Sequence, residues 1–239
     1  MKIAGSGSLP GGDYNEEINI SGSGRITGNV SCTGMNIAGS GRVDGNLACN
    51  GELHISGSGK IAGAVRAGSI HTSGSASIDG PASVNEEIHI SGSMHSGPVR
   101  CTLLRVSGSA KADGDVSAEE VVIRGAIHAA GLINAEKIDM ELGGNSDADS
   151  IGGSTIEVRS RATSRNLFAR IFSGGAFSTL TVANSIEGDL ISLENTVAAS
   201  VTGRIVKIGP NCRIGQVYYS EGVEISPEAS VDRYDMINA

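Results

Sequence analysis

Four cysteines, five histidines and a recurrent Gly-Ser-Gly motif are the residues of this 239-residue sequence whose types invite a chemical reading. Cys32, Cys49, Cys101 and Cys212 would suit a metal site or disulfides, but no Cys-x-x-Cys pair exists among them. His54, His71 and His89 stand 17 and 18 residues apart. Imidazoles stacked about 5 Å apart have the spacing to hold a divalent metal. The GSG motifs resemble phosphate-cradling loops, yet Gly59-Lys60 has His54 where such a loop requires glycine. There is no Gly-x-Ser-x-Gly elbow and no His-Glu-x-x-His. One segment, 159–178, concentrates Arg159, Arg161, Arg165 and Arg170 with all three phenylalanines, Phe168, Phe172 and Phe177, and no acidic residue.

The elements that carry these residues follow from a repeat. The first glycine of each motif falls at Gly5, Gly22, Gly39, Gly57, Gly74, Gly92, Gly108 and Gly125, so successive spacings are 17, 17, 18, 17, 18, 16 and 17. Apolar residues keep the same register. Ile18, Met35, Leu53, Ile70, Ile88, Leu104 and Val121 stand four residues before the marker, and Ile20, Ile37, Ile55, Thr72, Ile90, Val106 and Ile123 two before it. Ile26, Val43, Ile61 and Ile78 follow four after it, and Val30, Leu47, Val65, Val99, Val116 and Ile133 make a further column. Within each segment the alternation has the period of two that marks a strand with one buried face.

Such short strands, broken by glycine turns, bury their faces only by stacking coil on coil. The expected fold is therefore all-β, a single-stranded parallel β-helix of about 17 residues per coil with three strands to a triangular cross-section. The general preference for right-handed parallel crossovers makes the coil right-handed. Ile138 and Met140 recur as Ile156 and Val158, while Val206, Ile208, Cys212 and Ile214 recur as Val223, Ile225, Ala229 and Val231. About twelve coils result, a rod on the order of 60 Å long. Coils occupy residues 1–158 and, continuous with them, 179–239, with 159–178 projecting between them as a loop or short helix.

The register reinterprets the chemical candidates. Cys32, Cys49 and Cys101 share a column that other coils fill with Ala67, Val84, Ala118 and Ala135, and Cys212 matches Ala229. They are small core residues, and reduced cysteine suits the cytosol. The three histidines share an outward column with Asn19, Asn36 and Arg105 and no acid, so a solvated ladder is expected and no metal. The GSG motifs are turns, where glycine supplies φ > 0 or close approach between coils. Net charge of −8 opposes nucleic-acid binding. With neither an apolar run of membrane-spanning length nor a secretory leader, the chain is expected in the cytoplasm.

Tandem coils of this pattern in an acidic protein resemble the bactofilins, bacterial polymer-forming cytoskeletal proteins. The likeness extends from about Ile3 to Val158. The IEGD, LENT and IGPNC elements at Ile186–Asp189, Leu193–Thr196 and Ile208–Cys212 resemble a longer, Gram-positive variant of that family. The resemblance implies a right-handed triangular β-helix that assembles end to end into filaments without a nucleotide. From the absence of catalytic motifs, no enzyme activity, no cofactor and no small-molecule substrate are expected. Family members often carry an N-terminal tail for membrane attachment, whereas here the first coil begins almost at Met1.

Open coil ends pair with other chains unless capped. Only Met1 and Lys2 precede Ile3, and DRYDMINA follows Val231, so Ile3, Val223, Ile225 and Val231 mark the expected polymer ends. Contacts between like ends would be isologous and give a nonpolar filament. In the excursion, Leu167, Phe168, Ile171, Phe172 and Phe177 beside Arg165 and Arg170 suit self-association or an anionic membrane surface. They equally suit a loop folded over the rod. The expected partner is a second copy, with a paralogue or the inner face of the cell membrane as further candidates. Two rivals remain, a hexapeptide-repeat acyltransferase, whose flavour IVKIGPNCRIGQV carries, and a monomeric scaffold for envelope partners.

Overall fold

A computed structural model describes residues 1–160 and 178–237. Over these residues every helix or strand is a β-strand, from Lys2–Ile3 to Ser230–Met236, and the strands pair in parallel, each coil on the next. One ladder follows the stack from end to end. It runs Ile3, Ile20, Ile37, Ile55, Thr72, Ile90, Val106, Ile123, Met140, Val158, Leu193, Ile208 and Ile225, each paired with the next. Among the described residues the stack thus has thirteen rungs, one more than the periodicity suggests; the extra rung is that of Leu193, whose spacings to its neighbours depart from seventeen.

A single coil shows the local logic. Glu52–Ile55, Ser58–Ile61 and Val65–Ala67 are its three strands, and their burial alternates so that Leu53, Ile55, Ile61, Val65 and Ala67 face inward. Stacking matches each with its equivalents above and below, and the core is a set of aliphatic columns. Apolar burial contributes about 25 cal/mol per Å² removed from water, which lets short aliphatic side chains hold a thin rod without aromatics.

Two corners are shaped by backbone demands. At the first, a Cβ on Gly39, Gly57 or Gly74 would overlap the carbonyl oxygen of the marker glycine one coil below. Among the described glycines positive φ occurs only at Gly12 and Gly28, neither of them a marker. The motif is therefore explained by close approach between coils, and the alternative of φ > 0 falls away. At the second corner Asn29 Oδ1 accepts the N–H of Asn46, and Asn46 Oδ1 that of Ala64, both at 2.8 Å. Ala64 offers no acceptor, but the residue stacked on it is Pro81, followed by Pro98, and neither has an N–H to satisfy. Asp115 then resumes the pattern by accepting from Leu132 at 2.9 Å.

The rhythm changes at Val158. Its partner on the next rung, Leu193, lies 35 residues on, and the following rung is closed by the 15-residue step to Ile208. The lower coil passes from Leu142 to Ser146 in four residues, whereas the upper coil passes from their partners Ser160 to Leu180 in twenty. The extra chain is thus inserted at the marker-glycine corner. Strand Leu180–Leu193 lies directly on Ser146–Ser160, so the ladder resumes in register above the insertion.

Candidate functional site

The outer surface of the strand carrying His54 is the most organised polar face. His54 opposes His71, and His71 opposes His89, each pair directly in register. The rings of His71 and His89 meet edge to face with centroids 5.7 Å apart. Glu52, two residues before His54 on the same strand, also points outward. Its Oε1 lies 2.9 Å from His71 Nδ1 and 3.3 Å from His54 Nδ1. An acid therefore does stand beside the histidines, in the neighbouring outward column. Strand alternation puts residues two apart on one face, so Glu52 shares the outer surface with His54 without sharing its column.

The same neighbouring column pairs differently at other rungs. Glu87 binds Arg105 at 3.1 Å and Glu120 binds Lys137 at 3.1 Å. The histidine column itself continues through Arg105 and Val122 to Asp139 and Glu157, so, against the expectation from sequence, it does hold acids, three rungs above His89. Asp139 takes Arg124 at 2.5 Å and Arg159 at 2.6 Å. Burial works against its charge, but the hydrogen bonds and charges of the two guanidinium groups outweigh it and hold its carboxyl below the usual range. Asp44 is held low in the same way by Arg42 and Arg25, and Asp113 by His95 and Lys111.

The cysteines sit in the core as free, buried thiols. Cys32 and Cys49 stack with sulfurs 3.3 Å apart. The hydrogen bond to Cys32, followed by burial, pushes the Cys49 thiol up, and burial pushes Cys101 up to about 12. Burial also raises Cys212, whereas the hydrogen bond with Cys49 lowers the Cys32 thiol, so thiolate chemistry is suppressed at Cys49, Cys101 and Cys212. A shallow groove lined by Asp13, Asn29, Ser31, Asn46 and Arg66 is the nearest thing to a pocket on this half of the rod. Its asparagine oxygens already cap backbone N–H groups and Ser31 donates to Asp13, leaving little for a substrate.

Of the expected polymer-end residues, Ile3 is buried, while Val223, Ile225 and Val231 are only partly buried against the core. The residues paired with them one rung below, Val206, Ile208 and Ile214, are buried. Arg165, Leu167, Phe168, Arg170, Ile171, Phe172 and Phe177 lie outside the described residues; their flanks Ser160 and Leu180 are placed as above. No helix of the described residues is long and apolar enough to cross a membrane.

Comparison with known proteins bears on these coils directly. Residues 2–83 match the model of the Bactofilin family, described as polymer-forming cytoskeletal. The first coils are bactofilin-like. Two proteins of Bacillus subtilis (strain 168), the uncharacterized proteins YhbF and YhbE, are each 38% identical, over 102 and 104 residues. The aligned stretch is 42% of this chain and 40% of YhbF, and 43% and 42% for YhbE, so the chain matches about two fifths of the length of each relative. No solved structure matches. The bactofilin match ends at residue 83, but the ladder continues unbroken above it, through Ile90, Val106 and Ile123.

Proposed function

We propose that the chain is a structural cytoskeletal unit that self-assembles end to end into filaments, without a nucleotide. The observation that carries this reading is the sameness of the rungs. A parallel stack presents on its upper edge the N–H and C=O pattern that its lower edge accepts, and Ile3 and Ile225 belong to one ladder. A second copy is therefore the best-matched surface for either end. The partly buried Val223, Ile225 and Val231 are the apolar area that such a junction would cover. The polymer-forming description of the matched family agrees with it.

Sedimentation of purified protein without nucleotide tests the proposal. Wild type is expected in the pellet. Ile225→Lys and Val231→Lys are expected in the supernatant with unchanged far-UV circular dichroism, because each places a charge where two rods would meet. Wild type that stays monomeric across salt and concentration overturns the reading, as does undiminished pelleting of both variants. Attachment to a membrane or a paralogue through Phe168 and Phe172 is proposed on their sequence context alone. Loss of vesicle recovery in Phe168→Ser/Phe172→Ser is its test, and unchanged recovery refutes it.

A further inference from the structure

We propose that Glu52, His54 and His71 form a binding site for a divalent transition metal of the Zn2+ class, fastening one coil to the next. The geometry is close to that of a coordination sphere. Zinc takes imidazole nitrogen and carboxylate oxygen at about 2.0–2.2 Å, which at tetrahedral angles places neighbouring ligand atoms about 3.3–3.6 Å from each other, so the hydrogen-bonded His71–Glu52 pair would open by a few tenths of an ångström. The two nitrogen–oxygen separations here are 2.9 and 3.3 Å, and all three ligand atoms lie within 4.8 Å of one another. Both imidazoles turn Nδ1 to the same carboxylate oxygen, so the donors already converge on one point. Two histidines and one glutamate are a donor set zinc uses, with its remaining position open to water.

The scaffold supplies the rest. His54 and His71 are held opposite each other by the strand pairing, and Glu52 opposes Ser69 in the same ladder. Donors on paired strands are better fixed than donors on loops. The wiring of the face also sets this rung apart. Glu87 and Glu120 meet a permanent cation, Arg105 and Lys137, whereas the ion-pair partners of Glu52 among the described residues are His54 and His71. Imidazole can exchange such a partnership for a metal; guanidinium and ammonium cannot. Net charge of −8 favours cation approach. His89 is not part of the set, since its Nε2 faces Ser91 Oγ at 3.2 Å. Directly behind the site the ladder carries Thr72, whose buried hydroxyl has no hydrogen-bond partner among the described residues, so the metal would staple a rung that carries a polar defect in its core.

Calorimetric titration of the full chain with ZnCl2, paired with thermal unfolding, tests the inference. One equivalent is expected to bind with micromolar affinity and to raise the melting temperature. Glu52→Gln, His54→Ala and His71→Ala are each expected to weaken binding at least tenfold and to cancel the thermal shift. His89→Ala and His128→Ala should stay within threefold of wild type. These side chains are all surface-exposed, and circular dichroism without metal confirms that the fold is kept. Absence of binding to wild type overturns the proposal. So does binding insensitive to Glu52→Gln and His71→Ala, or equally lost in His89→Ala, which would mean chelation by any neighbouring histidines.

Discussion

Thr72 and Asp139 show how much a single position decides in a repeating core. Thr72 occupies a column otherwise filled by Ile, Val, Leu and Met. Its Oγ1 is buried and unpaired. A buried hydroxyl without a hydrogen bond costs about 1–3 kcal/mol. Thr72→Val keeps the shape and removes the hydroxyl, so a gain of about 1 kcal/mol is expected in urea unfolding; a loss would show that the hydroxyl has a partner. Asp139 acts through charge. Its folded carboxyl titrates below the ordinary value, so its contribution is present above about pH 4 and disappears as pH falls through the lowered value. Asp139→Asn is expected to be less stable than wild type at pH 7 and equal to it in strong acid. A difference that persists unchanged at low pH would assign the effect to packing. The partly exposed arginines keep the expected loss small.

At the scale of the coil, the corners are more constrained than the strands. Gly57 lies against the backbone of Gly39 and has no room for a Cβ, while Gly5, in the same motif position, meets nothing within 4 Å. Gly57→Ala is therefore expected to cost about 1–3 kcal/mol, the usual penalty of overpacking, and Gly5→Ala only a few tenths. Equal effects in thermal denaturation would mean that chain entropy, rather than coil contact, explains the motif. The sequence made the strands legible because one buried face imposes a period of two, and seventeen-residue spacing imposes the stack. Ile138 on Ile156 and Val206 on Val223 pair as the spacing indicates. The choice between φ > 0 and close approach at the glycines was not legible, since both demand the same residue. The role of Glu52 was hidden for a different reason. It stands in another column from the histidines, and only the side-chain torsions bring its carboxylate to them.

For the whole molecule, the thirteen-rung ladder of the described residues is the property on which the proposed assembly rests. Each rung is both template and product of the same pairing, so growth by a further copy repeats what already occurs inside the chain. The 35-residue step at Val158 shows that the stack absorbs an insertion at a corner and returns to register. That tolerance makes the corner a place where the chain can carry a contact segment without disturbing the core. Fibre diffraction from aligned filaments of the purified protein tests the central claim most directly. An axial reflection at about 4.8 Å is expected, with strands perpendicular to the filament axis and the stacking continuing unbroken across the junctions between rods. Filaments whose strands run along the axis, or a protein that forms none, would contradict it.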